Sequence, residues 1–185
     1  MAANPAPGRL RLVQDFVNTL DVEERKDALS TPADLAIWLH DQGLLPEGDV
    51  SRGEHERSLA LREALRRLLL ANNEGQPEPA DLALLDRLAA ESRLTPRFRA
   101  AAVSLEPAVA GAAGALGRLL AVVAEAMRDG TWSRLKACSD HACQWAFYDR
   151  SKNHSGHWCS MRVCGNRAKA RQFRERRRSG SRADA

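Results

Sequence analysis

The stretch CSDHACQWAFYDRSKNHSGHWCSMRVC, residues 138–164, decides the fold of the C-terminal part of this chain, because it holds all four cysteines of the 185 residues. They form two Cys-x4-Cys pairs, Cys138 with Cys143 and Cys159 with Cys164, which fifteen residues separate. Two thiol pairs joined by a short loop can place four sulfurs around a tetrahedral zinc ion, each at about 2.3 Å. The spacing therefore predicts a zinc site of four thiolates.

Two other arrangements stay open at this point, namely disulfides and a site in which His141, His154 or His157 replaces a thiolate. A reducing cytosol disfavours disulfides. We expect a soluble intracellular protein, because residues 1–8 are an Ala/Pro stretch without an apolar leader and no charge-free run approaches the ~20 residues of a membrane span. Four thiolates would close the shell and leave no position for water, so we expect structural zinc and no enzyme activity.

Charge is distributed unevenly along the chain. Residues 1–130 carry 15 basic and 20 acidic side chains, a formal charge of −5, whereas residues 131–185 carry 13 basic and 4 acidic ones, a charge of +9. An acidic body joined to a basic module indicates a polyanion partner for the module alone.

Apolar periodicity and capping signals predict five helices before residue 130. They run over residues 10–20, from Thr31-Pro32 to Gly43, from the capping box Ser51 to Glu54 as far as Asn72, over residues 80–91, and from Pro107 to Asp129-Gly130. Residues 93–98 and 101–106 break the period, and we predict that they pair as a hairpin. The Gly-rich residues 111–117 lack the order of a phosphate loop and are predicted to let a helix approach a neighbour closely.

The module after residue 130 is predicted to be a β-hairpin followed by a basic helix, so the fold class is mainly α with small β-hairpins and a four-cysteine zinc module. Its aromatic residues are expected to form a small core that zinc stabilises, so that metal binding and folding are one event. Stacking of nucleic-acid bases is the alternative use of these rings. They are Trp145, Phe147, Tyr148 and Trp158.

The last helix carries a stripe of arginines at i, i+4, i+7 and i+11, which are Arg167, Arg171, Arg174 and Arg178. Like charges on one helix face repel by roughly 0.2–0.5 kcal/mol per pair, and a polyanion would remove that repulsion. The alternative is a solvated face whose last turn complements the helix dipole. We favour contact with nucleic-acid phosphates.

Several short motifs in this region occur together. The first part of the pattern is Cys138-x4-Cys143 with Trp145, Phe147-Tyr148-Asp149 and Ser151-Lys152-Asn153. The second part is Trp158-Cys159-Ser160-Met161 followed by Cys164-Gly165-Asn166-Arg167. This pattern resembles the CGNR zinc finger, a bacterial domain named after the last tetrapeptide. In that family an ABATE domain typically precedes the finger, and Asp15-Phe16-Val17-Asn18-Thr19 is similar to its opening motif.

The resemblance implies an ABATE-like helical domain over residues 1–130, a CGNR-type finger over residues 131–178 and a role as a stress-associated bacterial transcriptional regulator that binds DNA. We expect a disordered tail over residues 179–185. Asn166 and Arg167 are candidates for base contacts, since Asn can bond adenine and Arg can bond guanine. The alternatives are that Asn166 is the N-cap of the helix and that Arg167 pairs with Asp149. Ser160 is a competing N-cap if the helix begins earlier. The other predicted nucleic-acid contacts are Lys152, Asn153, Arg162, Lys169, Arg171, Arg174 and Arg178.

The leading hypothesis is a cytoplasmic, nucleoid-associated regulator that binds double-stranded DNA and no membrane. Its N-terminal domain would sense a small-molecule effector, form a homodimer, or do both, and Asp15 and Asn18 are candidates for a ligand pocket. The alternatives are an RNA-binding or protein-interaction module, and an enzyme with its active site around Asp15 and Asn18. A redox switch that releases zinc on oxidation is a further hypothesis.

Overall fold

The computed structural model describes residues 4–46, 48–73 and 75–183, with side chains described as far as Arg176 in the last helix. Within these ranges the chain forms six α-helices and three two-stranded antiparallel sheets. The helices are α1 (Leu10–Val17), α2 (Pro32–Asp41), α3 (Arg52–Ala71), α4 (Pro79–Glu91), α5 (Gly111–Asp129) and α6 (Asn166–Ala183). The strands are β1 (Leu20–Asp21), β2 (Lys26–Asp27), β3 (Leu94–Arg99), β4 (Ala102–Pro107), β5 (Leu135–Ala137) and β6 (Ala146–Tyr148).

The predicted helix starts are confirmed where a capping residue marks them. The Thr31 hydroxyl accepts a hydrogen bond from the Asp34 N–H at 3.2 Å, and the Ser51 hydroxyl accepts one from the Glu54 N–H at 3.3 Å. In both places the acidic side chain bonds back to the N-cap backbone, which satisfies N–H groups that the helix leaves unpaired. Each capping box spans only four residues, so it can be predicted from the sequence without knowledge of the tertiary structure.

Two helix boundaries differ from the prediction. Helix α1 ends at Val17, because the Thr19 hydroxyl bonds to the Phe16 carbonyl at 2.7 Å and the chain then enters β1. Helix α5 begins at Gly111, whereas Pro107 is the last residue of β4, paired with Leu94. Proline fits the end of an edge strand as well as the start of a helix.

The predicted hairpin and the predicted close helix approach are both confirmed. Strands β3 and β4 pair from Leu94 with Pro107 to Arg99 with Ala102. A Cβ on Gly117 would lie 2.6 Å from the Cβ of Ser92 and 3.0 Å from that of Pro107, so only glycine lets α5 pack this closely against the end of α4 and the base of the hairpin.

The body is built on α1, α3 and α5, which pack against one another around a core of Val13, Phe16, Leu65, Leu69 and Leu119. The same core includes residues of the C-terminal module: Trp132, Leu135, Ala137, Ala146 and Tyr148. The expectation of a separate little aromatic core is therefore wrong in part. Of the four aromatic residues, Trp145 and Trp158 pack on the cysteines, together with Val163, whereas Tyr148 belongs to the main core because β5 and β6 lie against the helical body.

The end of the chain also differs from the prediction. Helix α6 continues to Ala183, so residues 179–183 of the predicted disordered tail have a helical backbone, and residues 184–185 lie outside the described residues. Residues 179–183 are Ser-Gly-Ser-Arg-Ala and include the poor helix former glycine, so they continue a helix that the Arg- and Ala-rich residues 167–178 have begun. No helix in the described part of the chain is both long and apolar enough to span a membrane.

Candidate metal centre and nucleic-acid interface

The four cysteines converge on one point. Their sulfur atoms all lie within 4.8 Å of one another, with 3.6 Å between Cys143 and Cys159 and 3.7 Å between Cys159 and Cys164. Tetrahedral zinc with Zn–S bonds of about 2.3 Å requires S···S distances near 3.8 Å. Cys138, Cys143 and Cys164 are buried, and all four are free thiols. The donor set and its spacing fit a structural Zn²⁺ site, and no disulfide joins any two of these cysteines.

Hydrogen bonds among the thiols shift their pKa values in opposite directions. The pKa of Cys138 is lowered because Cys143 and Cys159 donate hydrogen bonds to its sulfur, whereas the pKa of Cys159 is raised because its hydrogen bonds to Cys138 and Cys143 favour the neutral thiol. Ionisation of one thiol thus opposes ionisation of the next. A bound divalent cation reverses this and lets all four sulfurs be thiolates.

Local hydrogen bonds place each pair of cysteines. The Cys138 N–H bonds to the Trp145 carbonyl at 3.0 Å, and the Cys143 N–H bonds to the Asp140 carbonyl at 2.8 Å, so the first pair lies at the end of the β5–β6 hairpin. Cys164 lies in a π-helical turn, Met161–Gly165, that leads directly into α6. Ser160 is the N-cap of this turn, since its hydroxyl accepts from the Val163 N–H at 3.3 Å.

The histidines are not part of the sulfur cluster. Among the described residues, the ligand group consists of the four cysteines. The His157 carbonyl accepts the Ser139 N–H at 2.9 Å, and the His154 carbonyl accepts a bond from the Lys136 ammonium. Both histidines therefore hold the loop 149–160 through their backbones.

The hairpin is held to the helical body by side-chain amides. Asn18 bonds Ala146 twice, accepting its N–H at 2.7 Å and donating to its carbonyl at 3.0 Å, and Gln14 donates to the same carbonyl at 3.1 Å. On the other strand Asn72 donates to the Trp132 and Leu135 carbonyls, and Asn73 donates to that of Ala137. These amides extend the hairpin's hydrogen bonding into α1 and the end of α3.

Asp15 and Asn18, the candidates for a ligand pocket, both have partners within the chain. Asp15 forms an exposed ion pair with Arg11 at 2.7 Å, and both polar atoms of Asn18 bond to Ala146. Neither residue lines the two cavities described, of about 410 Å³ beside the cysteines and about 250 Å³ between β4 and α5. The Asp-Phe-Val-Asn-Thr motif is explained by packing and anchoring: Phe16 and Val17 enter the core while Asn18 holds β6.

A buried ion pair fixes the second half of the module. The Lys136 ammonium lies 3.2 Å from the Asp149 carboxylate, with side chains 4% and 3% exposed, and also donates to the Gly156 carbonyl at 3.1 Å. Burial raises the pKa of Asp149, but hydrogen bonds from Ser151, Gly156 and Lys136 outweigh it and lower the pKa to about 2. Asp149 is thus the partner of Lys136 and not of Arg167.

The first half of the arginine stripe faces the protein. Arg167 forms a two-point ion pair with Glu23, at 2.6 and 3.1 Å, and its third contact is the Cys164 sulfur at 3.1 Å. Its Nε lies 3.1 Å from the buried carboxylate of Asp140, and Arg171 lies 3.3 Å from the same group. The hydrogen bonds to Glu23 and Cys164 raise the pKa of Arg167. Base contact by Arg167 would require these ion pairs to break.

A different face of α6 is turned outward. Asn166, Lys169, Phe173 and Arg176, at i, i+3, i+7 and i+10, are all exposed and lie opposite Cys164, Arg167 and Ala168. We call these four residues the outward face. Asn166 is not an N-cap, since its amide donates to the Arg162 carbonyl at 3.0 Å one turn earlier. Lys152, Asn153, Arg162 and Arg174 are exposed as well, and the side chain of Arg178 lies outside the described residues.

Sequence reasoning missed the residues that join the two parts of the chain. In the sequence, Asn72 and Asn73 only mark the end of a predicted helix, and nothing assigns a role to Arg66, which is 2% exposed. Arg66 donates to the Val17 carbonyl at 2.7 Å and to the Gln144 carbonyl at 3.1 Å, which links α1, α3 and the turn after Cys143. The sequence does contain a signal for this role, since Arg62 and Arg66 lie on the apolar side of a predicted helix.

Two protein families match the chain. Residues 10–129 match the ABATE family, described as "Putative stress-induced transcription regulator", and residues 134–177 match the CGNR zinc finger. No curated protein sequence matches the chain. The two matches confirm the resemblance seen in the motifs, and a zinc finger over residues 134–177 agrees with the sulfur cluster as a structural zinc site.

Proposed function

The chain belongs to the ABATE family and ends in a CGNR zinc finger, and we propose that it regulates transcription by binding double-stranded DNA through the outward face of α6. The proposal rests on one observation, the division of α6 into two faces. The inner face pairs its arginines with Glu23 and Asp140, whereas the outer one presents Lys169 and Arg176 to solvent.

Zinc has a positioning role in this proposal. Cys164 is the second-last residue of the π turn and lies two residues before α6 begins, so the metal site sets where the helix starts and which way it points. A Cβ on Gly165 would lie 2.6 Å from the Met161 sulfur, so glycine lets Met161 and Trp158 close over the turn. A helix held at its start, with an exposed cationic face, has the form that enters the major groove.

Salt dependence of binding tests the proposal. Five exposed cations of the finger are candidates for phosphate contacts: Lys152, Arg162, Lys169, Arg174 and Arg176. About five phosphate contacts predict a slope near −4.5 in log K against log salt. A flat dependence for zinc-loaded protein on duplex DNA would contradict it, and tighter binding to single-stranded RNA would favour the RNA-binding alternative.

Charge variants locate the contact. Lys169→Ala and Arg176→Ala should each weaken binding to all duplexes and reduce the salt slope by about one. Arg87→Ala, which removes an exposed cation on α4, is the matched control and should leave both unchanged. Equal effects of all three variants would show that only net charge matters.

The N-terminal body is the part that could control the helix, because Glu23 in the β1–β2 turn holds Arg167. Sensing of a small molecule, homodimer formation and a cytoplasmic location at the nucleoid stay predictions. Sedimentation equilibrium of the zinc-loaded chain, with and without duplex DNA, measures the dimer directly.

A further inference from the structure

The β3–β4 hairpin has one face made entirely of apolar side chains. Partners across an antiparallel pair of strands point to the same face of the sheet, and successive residues along a strand alternate between its two faces. Arg99 and Glu106 lie on the polar face, where they form an ion pair at 2.9 Å. The apolar face, which we call the hairpin face, consists of three cross-strand pairs, Leu94 with Pro107, Pro96 with Leu105 and Phe98 with Val103.

The helical body covers the hairpin face only at its base. A Cβ on Gly117 would lie 3.0 Å from that of Pro107, so α5 lies close to this end. Toward the tip the exposed fraction rises from 38% for Leu105 and 44% for Val103 to 82% for Phe98. Contiguous exposed apolar surface of this kind marks a place where a folded protein contacts a partner.

A recess lies beside the exposed ring. Between β4 and α5 the structure has a cavity of about 250 Å³, with apolar walls formed by Val103, Leu105, Ala121 and Ala124. An apolar cavity of about 150 Å³ is already large enough to take up a benzene ring. The same surface therefore has a protruding aromatic side chain and a recess that can accept one.

The charges at the rim of the recess have both signs. Glu125 pairs with Arg9 at 3.7 Å, both side chains being at least half exposed, and Arg128 lies one turn further along α5. An anionic membrane favours cations alone, whereas a copy of the same surface can set a carboxylate of one chain against a guanidinium of the other. Pro96 has no N–H to donate, which disfavours an added strand at the edge of β3. These residues favour the packing of two such faces.

We propose that the hairpin face is the contact between two copies of this chain, in which Phe98 of each copy enters the recess between β4 and α5 of the other. A two-fold contact uses the same patch on both chains, so the patch must be complementary to itself. The ring and the recess meet this condition, and one contact fills both recesses. The inference does not depend on DNA binding, although a dimer would present two copies of α6.

Sedimentation equilibrium of the zinc-loaded full-length protein without DNA tests the contact. The wild-type chain of 20.4 kDa should approach twice that mass as its concentration rises. Phe98→Ala removes an aromatic anchor from both sides of the contact and should raise the dissociation constant at least about 100-fold. Ala124→Leu narrows the recess while Phe98 stays in place, and it should weaken the dimer as well.

Ile37→Ala is the matched control, because Ile37 is an apolar side chain that is 61% exposed on α2. It should leave the dissociation constant unchanged, and all three variants should retain bound zinc and a cooperative melting transition. A wild-type chain that stays monomeric at every concentration would overturn the inference. So would a dimer that neither Phe98→Ala nor Ala124→Leu weakens, since it would then use another surface.

Photocrosslinking identifies what the ring touches. A copy with benzoylphenylalanine at position 98, mixed with a ¹⁵N-labelled wild-type copy, should link to labelled peptides that contain residues 103–105 or 121–128. Links to its own unlabelled chain alone would contradict the contact. Monomeric protein that binds vesicles of phosphatidylserine and phosphatidylcholine, and loses them on Phe98→Ala, would show that the face contacts lipid instead. Phe98→Ala should keep the salt slope of each chain on duplex DNA, so this inference and DNA binding can fail separately.

Discussion

The two halves of the zinc finger are held in place by different forces. The β5–β6 hairpin is part of the main core, where Leu135 and Ala146 are fully buried, and amides of α1 and α3 bond its edges. The second half, from Asp149 through α6, depends on the sulfur cluster, the Lys136–Asp149 pair and the contacts of Arg167. We therefore expect zinc to be essential for the folding of the second half alone, although the sequence predicts that the whole module folds as a unit.

Zinc removal should have the largest effect and should separate the two halves. Structural zinc contributes on the order of 10–16 kcal/mol in small zinc modules. After chelation, amides of residues 150–176 should lose their protection against hydrogen exchange, whereas those of β5 and β6 should keep it. Mass spectrometry of exchanged peptides measures this, and returning Zn²⁺ should restore protection.

Cys159→Ser is the matching variant, because it removes one ligand from the second half without an added chelator. At physiological zinc concentrations this variant should also lose protection over residues 150–176 and keep it in β5 and β6. Loss of protection over the whole finger, β5 and β6 included, would contradict the comparison and restore the expectation of a single folding event.

Breaking the buried ion pair should have the next largest effect. Asp149→Asn leaves the Lys136 charge buried without its partner and should lower the free energy of unfolding by about 3–5 kcal/mol. Urea unfolding of the zinc-loaded protein measures it. Asp86→Asn, at an exposed position on α4, is the control and should change stability by less than about 0.5 kcal/mol.

The pH dependence of this effect follows from the direction of the pKa shift. The pKa of Asp149 is about 2 in the folded protein, below the value of about 3.9 in an unfolded chain. A carboxylate with a lowered pKa stabilises the fold above the unfolded value and loses that contribution only as pH falls through the folded one. The destabilisation by Asp149→Asn should therefore be equal at pH 6 and pH 8, and a marked difference between them would point to a titrating group other than Asp149.

Removing an amide that joins the hairpin to the body should have an intermediate effect. Asn18→Ala leaves the buried Ala146 N–H unpaired, although the Ala146 carbonyl keeps its bond from Gln14. The expected loss of stability is about 1–3 kcal/mol, again by urea unfolding. Asn153→Ala, in the exposed loop, should change nothing measurable. Equal stability of both variants would show that Asn18 does not anchor the hairpin and would favour the predicted ligand-binding role.

The parts of the fold that were predictable depend on neighbours in sequence. The cysteine spacing, the boxes at Thr31 and Ser51, and the β3–β4 hairpin all join residues that are close along the chain. The attachment of the finger depends instead on pairs such as Asn18 with Ala146, which are 128 residues apart. An asparagine next to an apolar stripe has the same sequence pattern whether it binds a ligand, caps a helix or holds a distant strand.

The arginine stripe shows a second limit of sequence reasoning. Periodicity shows correctly that Arg167 and Arg171 share a helix face, but it does not reveal whether that face points to solvent or to the body. The direction is set by Glu23 and by Asp140, a buried carboxylate in the turn between the first two cysteines. Both are acidic residues in regions without periodicity, so no pattern singled them out before the helix was placed beside them.

Glu23→Gln should have the smallest effect on stability and yet distinguishes the two faces of α6. Glu23 and Arg167 are both partly exposed, so loss of the pair should cost about 0.2–1 kcal/mol, and less at 1 M salt, where screening is strong. Glu24→Gln, which weakens the exposed pair with Lys26, is the neighbouring control. If DNA is read by the outward face, Glu23→Gln should raise affinity for all duplexes alike, because it removes one negative charge near the finger. A changed base preference would instead mean that the released Arg167 reads a base, and the inner stripe would then be the recognition surface.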